Sequence, residues 1–506
     1  MDRQEQRKGW WTRRRFAGAL AAGVVASGFV AARVVPHARE AAPSPGPLPT
    51  PTPTPSPTPP AVQAALPATP SGAAPPATPV AATPGPPLAP RAAGLLLYTG
   101  QLDGKDGIIA VNADGSDRRV LAPGFYAGVT WAPDASRSAA VGLQSRYGSP
   151  NQIAIFKADG TPLGRFPLEA TLTGPLDWSP DARRLLCRVL SVAQGAPNTP
   201  AAWVLGDDGA RQVALPGRGR ANFNGRGGFR ARTEVWDWTP RGRLAFISYP
   251  GFTNGATPSS APSRTLWTVT ADGGDPLLVA RGDFQPLAWS ADETILYALG
   301  LDRAIQEAPF YGASVATALL AINVTNGGQS RALITADELA PQFPDLTTDP
   351  ATTRWLDQAS IAPVGGAFAV VLTIEPPGGT PTAQEGERIV VLFDWTGQIV
   401  ASERVAANAP TAFAWSPDGK RVACTLRVAR TSTSELHLLA PGATQPLVYP
   451  LNNLYPGASS WSPQWSPDSQ WLAYPGPDGL TIAAATPPAR SALLAPDANS
   501  AAWRPR

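Results

Sequence analysis

Residues able to do chemistry are few in this 506-residue chain and widely spaced. It holds two histidines, His37 and His437, and two cysteines, Cys187 and Cys424. His437 stands alone in the apolar run ELHLLA and His37 lies near the N-terminus, so no histidine triad or multi-histidine zinc site is in view. No G-x-S-x-G elbow presents a nucleophilic serine, and no C-x-x-C-H run attaches a haem. Carboxylates are the remaining candidates for acid–base work. Asp177 and Asp237 each precede a tryptophan, Trp178 and Trp238, in similar phrases, so a repeated structure would place both in one channel-lining column. Glycoside hydrolysis uses such carboxylates about 5–10 Å apart.

Binding chemistry has two further candidates. The glycine-rich run GRGRANFNGRGGFRARTE carries Arg218, Arg220, Arg226, Arg230 and Arg232 with Phe223 and Phe229. Arginines beside aromatics can hold phosphate, sulfate or a carboxylated glycan; the structural alternative is a solvated loop paired with nearby carboxylates. Phe310, Tyr311, Trp355 and Tyr455 could offer stacking surfaces for sugar or peptide, or could pack their own loops. Aspartates also gather in Ala-Asp-Gly phrases, but without the alternating acidic ladder of a calcium loop, and read as turn residues.

The elements that must position these residues come from one recurring phrase. It appears at Trp131, Trp178, Trp238, Trp289, Trp415, Trp465 and Trp503, as Trp-Ser-Pro-Asp at Trp178, Trp415 and Trp465 and as variants of it elsewhere, with Ile361-Ala362-Pro363 filling the long gap before Trp415. Ser-Pro-Asp-Gly suits a type I turn, with proline fixing φ at the second position. An apolar strand precedes each turn and another follows. A third strand leads to the Ala-Asp-Gly turn, and a fourth completes the unit. Four short strands per unit are the signature of a propeller blade. The repeat opens with LLLYTG, IIAVNA and RRVLA, a unit lacking its first strand, and ends with SAAWRP, a first strand lacking its unit. The expected fold is therefore all-β, an eight-bladed β-propeller closed by the C-terminal strand, with seven blades if the Ile361 unit is not separate.

These phrases resemble the WD40-like repeats of the TolB family of exported propellers, whose hallmark is this W-S-P-D-G turn. The resemblance spans residues 93–506 and implies fold more than function. Where the family has an additional N-terminal domain, a proline-rich stalk is expected here. In this reading the anchor tryptophans are core wedges. Cys187 and Cys424 each fall nine residues after an anchor, in an apolar second-strand column with Ala140, Ile247, Ala298, Val370 and Tyr474, and are expected to be buried free thiols.

Charge and proline divide the chain. The first 90 residues hold 8 Lys/Arg against 3 Asp/Glu, leaving 33 against 35 in the remainder. Residues 1–35 read as an export signal, and Thr12-Arg13-Arg14-Arg15-Phe16-Ala17 resembles a twin-arginine leader that is either cleaved or kept as a membrane anchor. Residues 36–92 form a Pro/Ala/Thr-rich linker, expected to be disordered with polyproline II character. The propeller itself is slightly acidic, which disfavours nucleic acid.

The two tight turns of each unit belong to one face. The long segments 191–201, 216–234, 251–265, 301–314, 338–358, 374–386 and 449–462 belong to the other. Recognition is expected on the elaborated face. The reading is an exported, monomeric, non-enzymatic module, without cofactor or metal, that binds a protein, peptide or envelope glycan. The alternative is a carbohydrate-active enzyme using Asp177 and Asp237 at the channel.

Overall fold

In this computed structural model, the residues described are 80–81 and 94–506, apart from loop stretches 192–198, 207–208, 214–231, 250–263, 302–315, 347–351, 364–366, 376–386, 429–433 and 452–462. The single positions 147, 169, 327, 395, 406, 444, 499 and 506 are also outside the description. The leader and nearly all of the linker therefore lie beyond the described residues, and the unit Thr78–Arg506 is treated by itself.

The described chain is a succession of antiparallel strands, one short helix and two 3-10 turns. The strands group in fours, each four being consecutive in sequence except at the ends. The second unit is Tyr126–Trp131, Arg137–Leu143, Pro150–Lys157 and Pro162–Pro167. The third is Ala170–Trp178, Leu185–Ser191, Thr199–Gly206 and Gly209–Val213. The fourth starts with Arg232–Trp238 and the fifth with Phe284–Trp289. The sixth, around Ile361, is Thr353–Ile361, Ala367–Glu375, Glu387–Asp394 and Ile399–Val405. It touches the fifth unit's ladder through one pairing, Ala316 with Leu356. The seventh is Ala407–Trp415, Val422–Val428, Ser434–Leu439 and Leu447–Leu451. The eighth begins at Gln464–Trp465 and ends at Ser491–Ala495. The first unit combines the two ends of the repeat: Ser500–Trp503 pairs with Leu95–Leu102, Leu96 opposite Trp503 and Thr99 opposite Ser500.

Strand sequence explains how the units pack. Successive side chains point to opposite faces of a sheet. In the first unit Leu96 and Tyr98 enter a core shared with the eighth unit, whereas Leu97 enters a core shared with the second. Both faces are buried, so the strands are nearly continuous apolar runs, as in Ala367–Glu375, where every residue is buried. The same division recurs along the chain. Separate cores join units two and three, three and four, four and five, five and six, six and seven, and seven and eight. First strands also meet in succession: Tyr126–Trp131 touches both Ser500–Trp503 and Ala170–Trp178, and Gln464–Trp465 touches both Ala407–Trp415 and Ser500–Trp503.

The chain between strands is distributed unevenly. Connections from first to second strand and from third to fourth span seven residues at most, for example 290–294 and 440–446. Connections from second to third strand reach 250–263 and 302–315, and those from fourth strand to the next unit reach 214–231 and 336–352. Antiparallel pairing places the two sets at opposite strand ends. Within 336–352 the chain forms the helix Ala336–Leu339, where sequence reading expected only a loop. Thr335 caps it, accepting from the Glu338 N–H while the Glu338 carboxylate accepts from the Thr335 N–H, a capping box. The described linker residues Val80–Ala81 pair in parallel with Leu447 and Val448 on the outer edge of the seventh unit.

Candidate functional site

The short-turn face is built by one repeated set of hydrogen bonds. In Trp415-Ser416-Pro417-Asp418-Gly419 the Gly419 N–H donates to the Ser416 carbonyl at 2.8 Å, closing the turn. The Ser416 hydroxyl donates to Asp418 at 2.5 Å and accepts from the Arg421 N–H at 2.9 Å. Ser179–Asp181, Ser290–Asp292 and Ser466–Asp468 repeat the hydroxyl–carboxylate bond. The fourth turn position has positive φ, occupied by Gly419 and Gly242 but also by Ala182, Glu293 and Ser469. The second turn of the first, second and fourth units uses the same logic, with Asp114, Asp159 and Asp272 accepting backbone N–H groups two residues on. These aspartates are therefore engaged in shaping turns.

The anchor tryptophans do more than wedge. Trp238 Nε1 donates to the carbonyl of Asp177 at 3.0 Å, Trp465 to that of Ala414 at 2.9 Å, and Trp503 to that of Gln464 at 3.0 Å. Each acceptor immediately precedes the anchor of the preceding unit, so each such indole latches its unit to the one before. Trp415 meets the Ser360 hydroxyl at 3.0 Å, beside the non-aromatic anchor Ile361. Trp131, Trp178 and Trp289 bury Nε1 without a partner among the described residues. Sequence reading missed this bond because its acceptor is backbone, which any residue supplies.

Asp177 and Asp237 do occupy equivalent positions on adjacent first strands, and a residue from the neighbouring second strand joins them. Arg188 bonds the Asp177 carboxylate through Nη1. Its Nη2 donates to the Trp236 carbonyl at 2.5 Å and lies 3.8 Å from Asp237 Oδ1. Asp237 Oδ1 also accepts the Trp238 N–H at 2.8 Å. Half of the Asp237 side chain, 51%, is solvent-accessible, yet desolvation by surrounding protein raises its carboxyl above the usual range. The neighbouring Asp177 charge adds to that rise, while the Trp238 N–H and Arg188 oppose it. A carboxylic acid raised in this way is readier to hold a proton.

The other sequence candidates separate. Trp355 is 8% exposed, and its indole donates to Asp357 at 2.5 Å, so it is packed into its own unit. Asp357 also accepts from the Thr373 hydroxyl and from Arg388 Nε at 3.3 Å, forming a largely buried polar cluster at the long-connection end of the sixth unit. Nothing in sequence spacing marks this cluster, whose members come together only through strand register. Arg232 begins a first strand opposite Tyr249. Arg218, Arg220, Arg226, Arg230, Phe310, Tyr311 and Tyr455 lie outside the described residues. On the same side, Arg404 pairs with Asp345 and Arg354 lies 3.7 Å from Asp337, tying the helical insert to its neighbours.

Both cysteines are free and fully buried. Burial pushes the Cys187 thiol up to about 12 and the Cys424 thiol well above its ordinary value, so neither is a ready nucleophile. No described helix is long and apolar enough to cross a membrane.

No protein-family description matches this sequence, and no curated protein matches it. Solved structures similar to it include β-propeller and TolB-like domains. The β-propeller domain of the Trilobed protease from Pyrococcus furiosus is 15% identical with a TM-score of 0.41, over 70% of this chain and 95% of that one. An oligogalacturonate lyase in complex with manganese is 14% identical with a TM-score of 0.45, over 78% and 97%. A TolB structure from Agrobacterium tumefaciens is 13% identical with a TM-score of 0.29, over 62% and 87%.

Proposed function

We propose that residues 93–506 form an eight-bladed propeller, closed by Ser500–Trp503, that serves as an exported, non-enzymatic binding module for a protein, peptide or envelope glycan. Eight four-stranded units among the described residues, each seam with its own core, support the blade count. The core joining the eighth unit to the first supports closure. The leader-like segment 1–35, with its twin-arginine resemblance, and the proline-rich linker support export and tethering.

The observation that carries the binding reading is the unequal division of chain between the two ends of the strands. One face is closed by short turns whose polar side chains are consumed by the turns. The other receives every connection longer than seven residues. Variable connections over a rigid scaffold are where recognition concentrates. Neutralising Arg218, Arg220, Arg226, Arg230 and Arg232 together, and separately shortening 376–386, should each weaken capture of at least one member of a panel of peptides and acidic glycans by tenfold or more. Asp468→Asn on the short-turn face should leave capture unchanged. Equal loss from the short-turn variant would overturn the assignment of faces.

Asp237 favours a second reading, a carbohydrate-active enzyme with a raised, half-exposed carboxyl next to Asp177. Turnover of any glycan by the wild type that disappears in Asp237→Asn would establish it in place of the first. Arg188, bonding one carboxylate and approaching the other, argues instead for a structural pairing.

A further inference from the structure

His437 is the one imidazole among the described residues, and it lies in the seam between the sixth and seventh units. It sits on the third strand of the seventh unit, 7% of its side chain exposed. Its Nδ1 is 2.5 Å from Oε1 of Glu403, on the fourth strand of the sixth unit, and its Nε2 is 2.9 Å from Oε2 of Glu435 on its own strand. Both ring nitrogens thus face carboxylate oxygens. A neutral imidazole has one N–H, so satisfying both contacts requires the imidazolium. Glu403 is only 10% exposed, and its other oxygen has no hydrogen-bond partner among the described residues. The ring is the cation facing that buried charge. From the second strand of the seventh unit, Cys424 stands opposite His437 in register, its thiol kept protonated by burial and by the Glu403 charge. The fourth strand sets Val448 opposite the ring and adds no charge there. On the sixth unit, Arg404 follows Glu403 but pairs with Asp345.

We propose that His437 is a proton-operated clamp between these two units, holding the seam shut as the imidazolium and loosening it when the proton leaves. A small cavity lined by Ser402, Glu403, Leu439 and Gln445 adjoins the seam and admits water to Glu403 when the ring no longer compensates it. Burial alone would weaken the ring's hold on its proton, but the hydrogen bonds and charges of Glu403, then of Glu435, outweigh it, placing His437 above its ordinary value of 6.5. The stabilisation is therefore complete below the unfolded value and is lost as pH rises through the folded one. The clamp is engaged while pH lies below the folded midpoint of His437 and the facing carboxylates are ionised, and it is released as pH rises above that midpoint. Cys424, protonated throughout, does not compete for the role.

Because the chain has two histidines, His37 and His437, the full-length protein labelled at the imidazole carbons shows two titrating signals, and His37→Ala assigns them. The His437 signal should titrate above 6.5, and Glu403→Gln should lower its midpoint by roughly one unit or more. Amide exchange in Ile399–Val405 and Ser434–Leu439, corrected for intrinsic rates, should accelerate at least tenfold across that midpoint in the wild type. In His437→Gln it should be independent of pH. Should His437→Gln fail to fold, the milder Glu435→Gln, at the more exposed partner, tests the same coupling through the wild-type signal. A His437 midpoint at or below 6.5, or exchange in both strands that ignores its titration, would overturn the clamp.

Discussion

A single hydroxyl–carboxylate bond recurs through the short-turn face, and its chemistry sets how the protein meets acid. Asp292 is held down to about 2 by the Ser290 hydroxyl and by the Thr294 N–H and hydroxyl. Asp114 and Asp272 are lowered first by Ser116 and Thr270. A depressed carboxylate adds stability above its unfolded value and loses it as pH falls through the folded one. Melting temperature should therefore fall between about pH 4 and pH 2, and Asp292→Asn should flatten that fall; an unchanged profile would assign acid sensitivity elsewhere. The serine carries a different load. Ser416 is fully buried, and Ser416→Ala strands the Arg421 N–H, at a cost of about 1–3 kcal/mol in urea unfolding. These residues were legible in the sequence because serine, proline and aspartate shape a turn through their own atoms. Arg188 was not, because its bonds to Asp177 and to Trp236 in the next unit depend on register and on neighbouring sheets.

At the scale of elements, each strand serves two seams, and the tryptophans tie those seams to one another. Latched and unlatched indoles provide an internal comparison. Trp465→Phe removes a bond to the Ala414 carbonyl, whereas Trp178→Phe removes an Nε1 with no partner among the described residues. Both lose similar ring volume, so the first should cost about 1 kcal/mol more than the second by chemical denaturation. Equal losses would reduce the anchors to wedges, the role their apolar type suggested. The strands themselves were readable from their apolar runs, and even the Ile361 unit, which lacks a tryptophan, kept its place by matching the column. The helix Ala336–Leu339 was missed although Thr335 and Glu338 carry the capping spacing, because four residues are too few to show a helical period. The pairing of His437 with Glu403 was also out of reach. Two residues 34 apart meet there only because adjacent sheets stack face to face.

At the scale of the molecule, the proposed ring depends on the two ends of the repeat forming one unit. Leu95–Leu102 gains an inner neighbour only from Ser500–Trp503, and Arg504 lies 5.5 Å over the Trp131 ring of the second unit. The Ser500 hydroxyl lies 2.9 Å from that of Thr99, and the Val129 N–H donates to it at 3.3 Å, so one buried group joins three strands. Ring closure, as proposed, would keep Leu95–Leu102 from standing as an open inner edge, and the proposed binding role needs it to hold the long connections on one platform. The double variant Thr99→Cys/Ser500→Cys tests it most directly. Cysteines at these positions, 401 residues apart in sequence, meet the distance that a disulfide needs, and the native Cys187 and Cys424 are too deeply buried to compete. Mild oxidation of the folded protein should join residues 99 and 500 within one chain, seen as a cross-linked peptide pair by mass spectrometry and as a raised melting temperature. Free thiols persisting at both positions in the folded protein would contradict closure, and with it the common platform on which the proposed recognition face stands.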